Sequence, residues 1–374
     1  MIDPHRDIEP NNHAALIELG DSHVECIHSQ LLFLRHGGYT VHLICSEGIR
    51  QQVCNFENLH RFLFLDRAHD SWGHWSRVRS VLRYIRENHI RTIIFNTGGG
   101  NNTRDISFFA PRNVRQVGII HHTHKLKNSF TQFLISRRVQ KNFVLNDYLL
   151  DVIPRRFRKD FVSAYLIFSE PVETVDIQRD SERLWVAIPG EVDFRRRDYK
   201  ALIDALESRR EHVGTLQFLL LGECRRDGDG KRLRDMINET GLESHFVLFD
   251  SFLDRETFFS YLIKSDILLP LIHPGLKFFS HYQRYQVSGA YNLSFGFAKP
   301  MLLHEVLKGP HDFDVAAFFY GTGELAQLLC HLAAHPAEFQ EKGRGIRECK
   351  KFSFEVQCEK YLRHLERGQC YPST

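Results

Sequence analysis

The chain has 374 residues, 43% hydrophobic and 25% charged, the proportions of an ordinary globular protein. They exclude intrinsic disorder, a collagen-like fibre and a small disulfide scaffold, and the length suits two domains that each bury a core. Lys and Arg number 49 against 46 Asp and Glu, a net charge of +3, too near balance to make nucleic acid the partner.

The 35 arginines far outnumber the 14 lysines. That skew suits anionic small ligands, because the guanidinium fork matches phosphate oxygens, although salt-bridged surface arginines explain it as well. Eight cysteines (Cys26, Cys45, Cys54, Cys224, Cys330, Cys349, Cys358 and Cys370) form no C-x-x-C pair, so reduced and mostly buried thiols are expected rather than a disulfide framework or a zinc site. Residues 1–12 carry charges and two prolines without an apolar core, unlike a secretory signal, and no run of 18 apolar residues occurs. These features predict a cytoplasmic protein.

Short apolar runs alternate with amphipathic stretches, the pattern of βα units in parallel sheets. Residues 14–19 read as a buried strand ending at Gly20-Asp21-Ser22. A helix over 23–36 follows, with Cys26, Ile27, Leu31 and Leu34 on one face before Gly37-Gly38. Strands follow at 41–45, 61–65, 92–96, 116–121 and 142–146, with helices near 73–89, 101–110 and 127–138. A second series places strands at 184–188, 216–221, 246–249, 267–271 and 300–303, with helices near 196–209, 231–239 and 256–264. Residues 323–365 read as helical, with a break at His335-Pro336. The expected organisation is an amino-terminal Rossmann-like domain over 1–168, a charged connection over 169–182, and a carboxyl-terminal Rossmann-like domain over 183–374. Two such α/β domains facing each other across a cleft would bind ligands outside the carboxyl ends of their strands.

Several segments could carry chemistry there. Gly20, Asp21, Ser22 and His23 follow the first strand and open a helix, which favours an anion or sugar site; capping by Asp21 or Ser22 can share that loop. Gly98, Gly99 and Gly100, followed by Asn101, come straight after a strand and suit close approach of backbone to ligand, or a flexible loop. His121 and His122 end an apolar strand and could serve as general base or hold a hydroxyl or phosphate. No zinc-binding partners accompany them, so no metal is expected.

Asp227-Gly228-Asp229 has the spacing of a metal-diphosphate motif but precedes a helix, and reads as a polar turn with an N-cap. Arg195, Arg196 and Arg197, then Lys200, stand at the front of a helix, where one basic side chain could neutralise a diphosphate. Ser288 and Gly289 precede another helix and could form a second phosphate site, or a purely structural loop-to-helix turn. No G-x-G-x-x-G follows the first strand, which argues against a dinucleotide.

The second half resembles the nucleotide-binding domain of GT-B glycosyltransferases, especially the retaining family four. The matching pieces are Ile188-Pro189-Gly190 before the basic cluster, residues 218–223 (FLLLGE), 249–253 (FDSFL), 265–270 (SDILLP) and 296–301 (GFAKPM). The first half fits the acceptor domain through the glycine after its first strand and through His121 or His122. The resemblance implies transfer of a sugar from a nucleoside diphosphate sugar, UDP-linked for preference, to a hydroxyl on a glycan, lipid or protein, with no further cofactor.

Donor contacts would come from Arg195, Arg196, Lys200, Gly222, Glu223, Leu253, Ser288 and Gly289. Acceptor contacts would come from Gly20, Asp21, His23, Gly98, Gly99 and Asn101. The family's Gly-Arg turn is Gly190-Glu191 here, and its two glutamates fall at Tyr285 and Leu293. The departure implies a divergent branch that uses the Ser288 and Gly289 amides. It also leaves a nucleotide-sugar epimerase and an inactive binding or scaffold protein as alternatives. Basic residues from Arg137 to Lys159, including Arg155, Arg156 and Arg158, suit either a membrane-linked acceptor at the inner membrane face or a solvated surface.

Overall fold

The computed structural model describes residues 12–54, 56, 59, 61–169 and 173–366. The amino-terminal stretch up to residue 11, residues 170–172 of the expected connection, and Cys370 lie outside the described residues. The chain forms two compact units, one of residues 12–169 with 354–366 and one of 173–353.

The first unit holds a seven-stranded sheet. Its strands are β1 (His13–Glu18), β2 (Thr40–Ser46), β3 (Phe62–Leu65), β4 (Thr92–Phe95), β5 (Arg115–Ile119), β6 (Lys141–Val144) and β7 (Phe161–Ser163). They lie in the order β3-β2-β1-β4-β5-β6-β7, and every pairing is parallel. A parallel sheet is covered on both faces, so its central strands carry apolar runs through their middles. Residues 14–17 are accordingly buried, as are Ile93, Ile94 and Phe95. Helices Val24–His36, Ser71–Glu87 and Gly100–Phe109 supply the covering layers, with Val78, Val81, Leu82 and Ile85 in one core with Ala15, Ile17 and Ile93.

The second unit repeats the plan with six strands: β8 (Leu184–Pro189), β9 (Leu216–Glu223), β10 (Phe246–Phe249), β11 (Ile267–Leu268), β12 (Met301–His304) and β13 (Ala317–Tyr320). Their order is β10-β9-β8-β11-β12-β13, again parallel throughout. Helices Tyr199–Glu207, Gly228–Glu239 and Leu325–Ala334 bury Leu202, Leu233 and Leu329 against Val186, Phe218 and Leu220.

Three features differ from the sequence expectation. The edge strands β7 and β13 are four residues or fewer, too short to show a period. The strand expected over 267–271 stops at Leu268, because Pro270 has no amide to donate and Leu271 takes a left-handed turn (φ 55°). The terminal helix Phe354–Glu366, expected with the second domain, packs on the first unit.

There Tyr361 is fully buried. Its ring stacks on Phe143 of β6 with centroids 4.6 Å apart, and its hydroxyl donates to Gln30 Oε1 at 3.1 Å. The Gln357 side-chain oxygen accepts from the Tyr165 amide at 3.0 Å. Among the described residues the cysteines form no disulfide, with Cys26, Cys45, Cys224 and Cys358 buried and Cys54 exposed.

Tyr361→Ala would remove both the stack and the hydrogen bond. It should lower the unfolding free energy of the first unit by about 3–5 kcal/mol, read from urea denaturation; a loss under about 1 kcal/mol would show that the helix is not part of that core.

Candidate functional site

Strand order in both sheets reverses beside the central strand, at β1/β4 in the first unit and β8/β11 in the second. Crossovers on either side of such a point leave the sheet on opposite faces and open a crevice at the carboxyl edge. In the first unit a cavity of about 180 Å³ lies there, lined by Glu18, Gly20 and Ser22 after β1 and by Thr97, Gly99, Asn101 and Thr103 after β4.

Glu18 organises it. The side chain is 1% exposed; Oε1 accepts from the Gly20 amide at 2.7 Å, and Oε2 accepts from Asn96 Nδ2 at 2.8 Å and Thr97 Oγ1 at 2.7 Å. A buried carboxylate needs such donors, and here they clamp the two loops of the cavity to each other. Its sequence signal is a lone carboxylate ending an apolar strand two residues before a glycine.

Gly20, Gly99 and Asn101 line this cavity. Gly98 and Gly99 border a small adjoining one with His121, His122, Lys125 and Gln132. The glycine run has a packing reason. A Cβ on Gly98 would stand 2.8 Å from the Ile119 carbonyl, and Gly100 has φ +89°, a conformation open mainly to glycine. The run is therefore well ordered against β5.

Asp21 pairs with Arg67 and lies against Gly48, and it lines neither cavity. Nor does it cap a helix: the residue before Val24–His36 is His23, with φ 64° and no side-chain capping bond. His23 instead stacks on His121 with centroids 3.7 Å apart.

His121 is buried, and its Nε2 lies 2.7 Å from the Asn96 carbonyl. A carbonyl only accepts, so Nε2 carries the proton and Nδ1 is the ring's acceptor. Burial, with the neighbouring His23, holds the His121 pKa well below the ordinary histidine value.

In the second unit Gly190 follows β8 with φ +98°, and Arg197 folds over it, donating to the carbonyls of Pro189 and, at 3.0 Å, Glu191. Arg197 thus pins this loop from inside, a role not evident in a run of three arginines. Arg195 makes a bidentate pair with Asp193 at 2.8–2.9 Å. Arg196 reaches Asp193 at 3.4 Å and lies over the Phe278 ring at 5.7 Å. Lys200 pairs with Asp204 one turn along the exposed face of its helix. Gly222 packs against the Gly190 backbone, which a Cβ would overlap; Glu223 pairs with Arg225; Leu253 is half-buried.

Ser288 is buried at the start of helix Gly289–Phe297 with no side-chain capping bond, and the space above Gly289 is open. Asp227 sits at the start of helix Gly228–Glu239 without a capping bond, whereas the Asp229 carboxylate accepts from the Phe194 amide at 2.9 Å. Tyr285 and Leu293 are both partly buried.

A further constellation stands at this carboxyl edge. His273 Nδ1 lies 3.1 Å from Asp198 Oδ2, and its Nε2 lies 2.7 Å from the Tyr320 hydroxyl. His304, at the end of β12, lies beside both rings. The His273 bond, against the effect of burial, holds the Asp198 carboxyl below its ordinary value. The members come from the loops after β8 and β11 and from the last residues of β12 and β13, so no local spacing could reveal them. Elsewhere in this unit His331, His335 and Glu338 form an exposed group whose donor atoms lie within 4.8 Å of one another.

No protein-family model matches the chain, and no curated protein sequence matches it detectably. Solved structures do. A glycosyltransferase from Rickettsia africae is 12% identical with a TM-score of 0.67, over 96% of this chain and 100% of that one. Anabaena HepE in complex with UDP is 12% identical at 0.65, over 94% and 99%. The UDP-GlcNAc 2-epimerase of Neisseria meningitidis bound to UDP-GlcNAc is 12% identical at 0.62, over 94% and 100%. At such identity the likeness defines the fold, and the fold is GT-B: two Rossmann-like units with parallel sheets.

The depressed His121 pKa sets a pH dependence. Below the ordinary pKa of about 6.5 the unfolded chain takes up a proton that the folded ring refuses, so stability falls as pH drops from about 7 towards 5. His121→Phe should flatten that fall by about 1 kcal/mol or more, measured as urea midpoints across the range. Parallel curves for the two proteins would contradict a neutral, buried His121.

Proposed function

We propose that the chain is a GT-B enzyme acting on a nucleoside diphosphate sugar, preferably UDP-linked, and that it transfers the sugar to a hydroxyl acceptor without a metal. The observation that carries this reading is the end-to-end likeness of the chain to structures that hold UDP, UDP with glucose, or UDP-GlcNAc. The switch-point loops of the second unit support it. The N-terminus of helix Gly289–Phe297, with open space above Gly289, offers amides and a helix dipole to a diphosphate.

Arg195 and Arg196, now held by Asp193, are the cations next to that edge. They would exchange a shared carboxylate for phosphate oxygens. Charge on the leaving diphosphate grows as the glycosidic bond breaks, and donors already fixed in place stabilise it. Gly222, Glu223 and Leu253 would lie on the nucleotide side. The acceptor hydroxyl belongs to the Glu18-organised cavity of the first unit, with Gly20, Gly99 and Asn101 on its wall. His122, beside the smaller cavity, is the base candidate, and His121 positions the Asn96 loop.

Epimerisation is the second reading, favoured by UDP-GlcNAc 2-epimerases of the same fold at comparable likeness, with TM-scores of 0.62 and 0.64. Product analysis separates the two. Transfer releases UDP only with an acceptor or water, whereas epimerisation interconverts UDP-sugars.

UDP at 100 times its dissociation constant should stabilise the protein by about 2.7 kcal/mol, read as a thermal shift. Ser288→Trp should abolish the shift and Arg196→Ala should reduce it. No shift with any nucleoside diphosphate would overturn the reading.

A further inference from the structure

The first unit carries a face that its core does not use. Helices Ser71–Glu87, Gly100–Phe109 and Phe130–Ile135 pack side by side and present Trp72, Trp75, Phe108, Phe109, Phe130 and Phe133 outward. Trp72 is 76% exposed and Phe130 75%, far beyond what a packed aromatic shows. Trp75 and Phe109 touch across two of the helices, with centroids 5.6 Å apart. Phe130 and Phe133 lie together on the third, at 6.2 Å. Clustered apolar exposure of this kind marks an interaction surface.

The charge around it indicates the partner. Residues 106–146 contain seven Lys and Arg and no Asp or Glu. Arg112, Lys125, Lys127 and Arg137 are exposed, and Arg137 lies 4.9 Å over the Phe133 ring. The carboxylates nearest in sequence are already engaged. Asp70 caps its helix through the Gly73 amide at 2.7 Å, and Asp105 is buried between Arg104 and His74. The face is thus aromatic and cationic, and the exposed carboxylate beside Trp72, that of Asp70, is engaged as a helix cap. Tryptophan and phenylalanine insert at the headgroup boundary, and Lys and Arg are drawn to anionic lipid. Among the described residues no helix is long and apolar enough to cross a membrane, so contact of these helices would be peripheral.

We propose that this face docks the protein on an anionic lipid bilayer, with Trp72 and Phe130 entering the headgroup layer and Lys127 and Arg137 contacting lipid phosphates. It differs from the segment around Arg155, Arg156 and Arg158, which carries exposed cations but no large exposed aromatic. The proposal does not depend on the glycosyltransferase reading; a protein that handled no sugar would dock in the same way.

Flotation of the full chain with vesicles tests it, using phosphatidylcholine alone and phosphatidylcholine with 30% (about one lipid in three) phosphatidylglycerol. Binding should appear on the anionic vesicles, fall as salt rises, and drop at least about tenfold in Trp72→Ala/Phe130→Ala and in Lys127→Glu/Arg137→Glu. These side chains are exposed, and unchanged thermal unfolding of the variants would confirm intact folds. Absence of binding to anionic vesicles at low salt would overturn the proposal, as would binding that both variants retain. So would a self-association in solution that Trp72→Ala/Phe130→Ala abolishes while vesicle binding persists, since the face would then be a protein interface.

Discussion

A parallel sheet whose strand order reverses beside its central strand cannot close its carboxyl edge, because the flanking crossovers leave on opposite faces. Both units of this protein are built on that constraint. Each central strand is apolar through its middle, so polar chemistry is displaced to its carboxyl end and the loops beyond. In the first unit those loops enclose the cavity at Glu18. In the second they bring together the Gly190 turn, the Asp198–His273–Tyr320 chain and the start of helix Gly289–Phe297.

The two edges are stiffened by opposite charges used alike. Glu18 accepts three hydrogen bonds from the loops after β1 and β4, and Arg197 donates to carbonyls on both sides of Gly190. A buried charge is tolerated when it is hydrogen-bonded, and Glu18, bonded from two different loops, makes those loops mutually dependent. Such preorganisation lets a site hold a polar ligand without reordering backbone at the moment of binding.

Much of this was legible from the residues. The βα alternation and the placement of β1, β2, β8, β9 and β10 follow from apolar runs bounded by Gly, Asp and Ser, since buried parallel strands need that pattern. Gly20, Gly99 and Asn101 were expected as ligand-contacting loop residues, and His121 and His122 as base or ligand-holding side chains, because they follow strands; in the first unit they line two small cavities. What escaped depends on contacts distant in sequence. Tyr361 meets Gln30 across 331 positions, and His273 meets Asp198 across 75; no local periodicity encodes either. Arg195 and Lys200 looked available for phosphate, but Asp193 and Asp204 lie close enough to hold them. The resemblance to family four extends as far as the shared fold, and the positions of its glutamate pair hold Tyr285 and Leu293.

The central claim is that the carboxyl edge of the second unit receives a nucleoside diphosphate. Backbone hydrogen–deuterium exchange of the full chain with and without saturating UDP tests it most directly. The account predicts added protection confined mainly to residues 190–198 and 286–292, with the terminal helix Phe354–Glu366 unchanged. Protection absent from both segments, or appearing only in the glycine loop at residues 97–103 of the first unit, would contradict it.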